Sequence, residues 1–180
     1  MTNTTESTMR RTPAGSVADL LQELEREARA TRRTLERVPG GQLDWTPHSK
    51  SMTLGQLAMH IALIPGNIAE LSRSSSFDVK TAIPRPSATS TAEIVERLDE
   101  SMGRARRALG ATRNEDLQAP WNMMNGEEVV FSMTRGELLR TVMLNHWYHH
   151  RGQLTVYLRM LGVPLPAIYG ESADERVMTG

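Results

Sequence analysis

The sequence predicts an all-α domain, an up-and-down four-helix bundle with a small β-hairpin between its third and fourth helices. Three observations carry this. Four segments open with the same helix-start signal. Each continues with apolar residues at helical spacing. An Asn–Gly pair lies between apolar residues in the last long connection.

The first segment begins at "SVAD" (16–19) and runs on through "LLQELEREARATRRTLERV". Ser16 can accept from an orphan amide at the helix start while Asp19 reaches back to the cap. Leu20, Leu21, Leu24, Ala28 and Leu35 form its apolar stripe, and Gly40–Gly41 follow as a stop. The second begins at "TLGQ" (53–56), with Leu57, His60, Ile61, Ile64, Ile68 and Leu71 on one stripe. Pro65 lies inside it and cannot donate to the carbonyl of Ile61, so a kink just after His60 is expected. The third begins at "STAE" (90–93), with Ile94, Leu98, Met102, Ala105 and Leu109 as its stripe and Gly110 at its end. The fourth begins at "TRGE" (134–137) and continues through "LLRTVMLNHWYHHRGQLTVYLRML" to a stop at Gly162.

Two connections are long. Residues 75–89, rich in Ser and Pro, predict an irregular segment. Residues 115–133 contain "APWNMMNGEEVVFSM" and predict a two-stranded ribbon turning at Asn125–Gly126. Residues 1–15 are polar and predict a flexible N-terminal tail. The domain then spans 16–170, with a C-terminal tail at 171–180.

Composition narrows the function. The 180 residues suit one domain with a sizeable core. There is no cysteine, so disulfides, thiolate ligands and a cysteine nucleophile are excluded. Any metal must be held by nitrogen and oxygen. Acidic and basic residues balance at 21 each, which argues against a nucleic-acid partner. The basic run "GRARRA" (103–108) predicts a solvated helix face. No apolar run is long enough to span a membrane, and residues 1–15 lack the apolar stretch of a signal peptide, so the expected location is cytoplasmic.

Three of the five histidines fall in "LNHWYHHRGQL" (144–154). At about 100° per residue, positions i and i+4 lie about 40° apart on a helix. His146 and His150 therefore project together, on the arc that also carries Leu139, Val142, Met143, Gln153 and Tyr157. His60 sits in the apolar stripe of the second helix. Buried imidazoles must stay neutral or find partners. Hydrogen-bonded core histidines satisfy that requirement, and so does a metal site shared between facing helices; the residues alone leave both open. His149 stands aside from the arc, as a site-edge or interface residue. Arg151 points away from it, toward an acidic partner. His48 follows a proline in a loop and is a poor ligand.

Two stretches resemble the DinB/YfiT-like superfamily of four-helix-bundle metalloproteins. "LDWTPHSKSMTLGQLAMHIA" (43–62) is similar to its first signature, a helix-2 histidine after a T-x-G-E/Q-L start. "LNHWYHHRGQLTVYLRMLGVPLPAIYG" (144–170) is similar to its second, H-x3-H followed by R-G-Q and a proline-bearing tail. The resemblance covers nearly the whole chain after residue 15. It implies metal ligands at His60, His146 and His150, a divalent cation that is zinc or nickel before iron or manganese, and a homodimer.

Three neutral histidines leave a divalent ion its full charge and an open position, the pattern of a catalytic site. Since several relatives act with low-molecular-weight thiols, the expected function is a metal-dependent transferase that activates such a thiol against a small electrophile. Two alternatives stand beside it: a hydrolase activating water at the same ion, and a non-enzymatic stress-related metal-binding module. No general base is identified; Gln153, Tyr157 and His149 are the candidate supporting residues. No H-E-x-x-H glutamate is present, which weighs against a protease.

Overall fold

The computed structural model describes residues 15–81 and 86–176. The expected flexible tail, apart from Gly15, and residues 82–85 of the first long connection lie outside the described residues.

The protein is mostly helical with a small three-stranded sheet. Helix α1 spans Val17–Leu35, α2 Leu54–Leu71 and α3 Thr91–Gly110. The fourth helix, α4 (135–160), is built of three segments without a break: Arg135–Glu137, a π-helical stretch Leu138–Asn145, and a regular α-helix His146–Met160. The start signals act as read for α1, α2 and α4. Ser16, Thr53 and Thr134 cap the N3 amide, and Asp19, Gln56 and Glu137 return the bond. In α3, Ser90 caps the Glu93 amide, but the Glu93 carboxylate turns outward to the Thr89 amide and hydroxyl instead.

Helix α3 packs on α1 and α2, and α4 packs on the same two helices from the other side. The stripes meet in one core in which Leu20, Leu24, Leu35, Leu57, Ile61, Ile94, Leu98, Leu109, Leu154 and Leu158 are buried. Among the described residues, no helix is long and apolar enough to cross a membrane. Arg104 and Arg106 of the basic run are paired, with Glu70 at 2.9 Å and Glu25 at 2.6 Å.

The sheet differs from the expected ribbon. Strands β2 (Pro120–Asn125) and β3 (Glu128–Thr134) are antiparallel, as read, but β1 (Ser76–Asp78) adds parallel to β2, with Phe77 opposite Met123. The first connection is therefore partly ordered. A three-residue strand is too short for an alternating pattern to reveal it. The turn is also one residue later than expected. Asn125 pairs with Glu128, so Gly126 and Glu127 form the loop, and Gly126 takes the positive φ of 66°.

Pro65 does not end α2, which continues through it to Leu71. Gly162, with φ 70°, closes α4. Beyond it the chain folds back on α1. Arg33 donates to the Ala167 carbonyl at 2.9 Å and pairs with Glu175, which also accepts from the Ala167 amide at 2.7 Å. Asp174 accepts from Arg159 at 2.6 Å and from the Leu165 amide at 2.9 Å.

Candidate metal centre

The π-helical stretch sets how the first ligand candidate is presented. At its end the His146 amide bonds the carbonyls of Thr141 and Met143. From His146 onward the helix is regular, so His146 and His150 share one face. Across the core, α2 presents His60 from the turn flanked by the buried Leu57, Ile61 and Ile64.

The structure brings His60, His146 and His150 together. All three rings are half-buried, and each offers a nitrogen within 4.8 Å of the other two. Ring centroids are 5.2 Å apart for His60–His146, 4.6 Å for His60–His150 and 4.5 Å for His146–His150, each pair edge to face. The Nε2 atoms of His146 and His150 are 2.8 Å apart. Three nitrogens placed tetrahedrally around one zinc ion at about 2.0–2.1 Å lie about 3.3 Å from one another. The His146–His150 separation is about 0.5 Å shorter than that, and the other nitrogen pairs lie within 4.8 Å.

The proton on His150 is fixed by its neighbour. Its Nδ1 lies 2.7 Å from the Gln153 amide oxygen, an acceptor only, so Nδ1 carries the proton and Nε2 is bare. The Nδ1 of His146 is buried without a partner of full hydrogen-bond geometry, and the Val142 carbonyl is the acceptor that favours a proton there. The bare Nε2 of His150 faces the His146 Nε2 at 2.8 Å, a gap that a proton on His146 or a shared cation can fill. The donor set fits a divalent ion, for which neutral imidazole is a good ligand.

Burial holds both rings neutral. For His146 it lowers the pKa below 6.5, with the Val142 carbonyl opposing and the neighbouring His149 reinforcing. For His150 burial again leads; the Gln153 hydrogen bond opposes it, and His146 and His149 add to the lowering. Neutral rings are the form that binds a metal.

The remaining candidates are placed as follows. Gln153 is exposed, and its amide oxygen bonds the His150 ring. The Tyr157 hydroxyl donates to the Met52 carbonyl at 3.3 Å, and its ring meets Trp45 edge to face at 5.5 Å. His149 is exposed, outside the triad, with its ring centroid 5.0 Å from that of His150. His48 accepts from the Lys50 amide in its own loop.

Sequence reasoning missed the depth of the network behind the ligands. Arg151, beside His150, is 2% exposed and donates to the Glu27 carboxylate at 2.8 Å, the Glu27 carbonyl at 3.2 Å and the Thr31 hydroxyl at 3.1 Å. The rings of Tyr148 and Tyr169 lie 5.4 Å and 5.1 Å from its guanidinium. Burial alone would raise the Glu27 pKa, but hydrogen bonds from Tyr169 and Arg151 and the guanidinium charge hold it below the usual carboxylate value. The place of Glu27 on the stripe side of α1, between the buried Leu24 and Thr31, was the signal for this pair.

The chain matches the DinB family over residues 1–177. The Bacillus subtilis (strain 168) protein YrdA, described only as uncharacterized, is 30% identical over 159 residues, which cover 86% of this chain and 89% of that protein. The crystal structure of a DinB-like protein from Bacillus cereus ATCC 10987 superposes with a TM-score of 0.69 at 25% identity, covering 87% of this chain and all of that one. A second DinB-like structure, YjoA from Bacillus subtilis, gives a TM-score of 0.62 at 18% identity over 82% of this chain and 95% of its own.

Proposed function

The chain belongs to the DinB family, and from that premise we propose that it is a metal-dependent transferase that activates a low-molecular-weight thiol for attack on a small electrophile. The observation that carries the reading is the convergence of three half-buried imidazoles with two Nε2 atoms 2.8 Å apart. A bound divalent ion would keep its full charge among three neutral ligands and supply Lewis acidity and an open position where a thiol ionises. His60, His146 and His150 would hold that ion, with zinc or nickel favoured by the all-nitrogen donor set over iron or manganese.

The chain's own residues support this chemistry in stated ways. Gln153 holds the His150 ring with Nε2 turned toward His146. The three histidines are half-buried rather than sealed in the core. A free thiol ionises at about pH 8.5 and water at about 15.7, so the same bound cation would yield a thiolate more readily than a hydroxide. This favours transfer over hydrolysis.

The test has two stages. Metal analysis of purified protein is expected to find one equivalent of a divalent ion, lost in His150→Ala. Metal-free protein, and the same protein reloaded, are then assayed with glutathione, bacillithiol and mycothiol against a panel of electrophiles. No stoichiometric metal in the wild type sinks the site; metal without thiol-dependent turnover sinks the transferase reading alone and returns attention to a binding module. A homodimer belongs to the same proposal. The exposed Val156 and Met160 on α4 supply apolar surface for an interface, and light scattering at twice the chain mass is the expected result.

A further inference from the structure

We infer that the Trp147 indole is a positioning group for the metal centre, acting through a carbonyl that Pro65 leaves free. The inference rests on the metal reading above. Pro65 has no amide proton, so the Ile61 carbonyl, one turn earlier in α2, loses its helical donor. That carbonyl belongs to a fully buried residue, where an unpaired acceptor is costly. Its partner comes from another helix. The Nε1–H of Trp147, itself fully buried in α4, donates to it at 2.9 Å.

The chain positions give this bond its meaning. Ile61 follows His60 and Trp147 follows His146. One buried hydrogen bond thus joins the residue after one ligand to the residue after another. Apolar packing between α2 and α4 is non-directional and sets how close the helices come. A rigid indole donating to one carbonyl also sets their height along the axis, which three ligands around one ion require.

The next residue of α2 is held in the same manner from the opposite side. The Gly66 amide donates to the Ser101 hydroxyl of α3 at 2.8 Å, and that hydroxyl donates to the Leu63 carbonyl at 3.2 Å. A Cβ at position 66 would lie 2.8 Å from the Ser101 carbonyl oxygen, so α3 approaches where only glycine fits. The Pro65–Gly66 step therefore sends one carbonyl toward α4 and one amide toward α3, clamping the helix that carries His60 between its neighbours.

A merely structural bond, present to satisfy a stranded carbonyl, makes a different prediction. Trp147→Phe keeps an aromatic ring and removes the donor. Adding Pro65→Ala gives the Ile61 carbonyl a helical amide again, without restoring the link to α4. The experiment measures melting temperature of the metal-free proteins and zinc affinity by competition with a chromophoric chelator. For Trp147→Phe both should fall, with zinc bound about ten-fold more weakly, the scale seen when groups behind metal ligands are removed. For Trp147→Phe/Pro65→Ala the melting temperature should recover while zinc binding stays weak. The double variant also keeps the test usable if the single one folds poorly. If the double variant binds zinc as tightly as the wild type, the positioning role is overturned. If the wild type itself fails to bind zinc, the metal centre falls instead, a result distinct from the first.

Discussion

Gln153 offers the most direct test of how the site is tuned. Its amide oxygen lies 2.7 Å from the His150 Nδ1 and keeps the proton on that nitrogen. Removing such a partner from a metal ligand costs about ten- to a hundred-fold in affinity. Gln153 is exposed, so water can take over part of the acceptor role, and the effect belongs at the lower end. Gln153→Ala is therefore expected to weaken zinc binding about ten-fold, or about 1.4 kcal/mol. Gln153→Lys should weaken it further, because an ammonium can only donate and adds a positive charge beside the ion. Gln153→Glu should tighten it, since a carboxylate acceptor makes the imidazole a better base. All three lie on an exposed position, so melting temperatures of the metal-free variants should stay close to wild type. Zinc affinities by competitive titration at neutral pH supply the assay. Equal affinity for Ala, Lys and Glu would refute the argument that this side chain fixes the His150 ring.

Two further outcomes follow from the surrounding network. Arg151→Met leaves the buried Glu27 carboxylate with Arg26 and the Tyr169 hydroxyl as its remaining partners, and should cost about 2–3 kcal/mol in urea unfolding, below the full cost of an unpaired buried charge; adding Glu27→Leu should recover much of this, and a double variant as unstable as the single one would contradict it. The pH dependence of the metal-free protein is set by His146 and His150, whose folded pKa values lie below 6.5 mainly through burial. The unfolded chain then binds protons that the fold does not, so this contribution is complete above about 6.5 and is lost as pH falls through the lowered values. Urea midpoints should rise with pH across that window, and His146→Gln/His150→Gln should flatten the rise; an unchanged slope in the double variant would count against it.

Much of the fold was legible because it depends on local chemistry. Ser16, Thr53 and Thr134 cap as their sequence contexts imply, and the stripes of Leu20, Leu57 and Ile94 point to the core. The His146–His150 pair was legible because that part of α4 winds regularly. Other features depend on partners distant in sequence. The β1 strand exists only because β2 lies beside it, and the clamp on Arg151 needs Glu27 and Tyr169, far away in the chain. The turn at Gly126 moved by one residue because cross-strand pairing, rather than the Asn–Gly pair itself, chose which two residues stay unpaired.

Two irregularities of the helices are more informative than the regular turns. One is the π-helical stretch Leu138–Asn145, which the sequence did not announce; the other is Pro65–Gly66, which it did. No glycine or proline lies within the π stretch to announce it, so the 100° rule was carried across it from Leu139 to His146 without warrant. Each irregularity lies next to a ligand candidate, the first running directly into His146 and the second about one turn beyond His60. Each also releases backbone groups from the usual ladder. The Ile61 carbonyl goes to Trp147, and the Val142 carbonyl supports the proton on His146. An ideal helix would keep both carbonyls for its own amides and leave the ligands held by packing alone. Departures from local regularity that recur beside ligands, and that hand their freed groups to those ligands or their neighbours, are what a positioned site requires. On this reading the imperfect helices of the protein are part of its candidate metal centre.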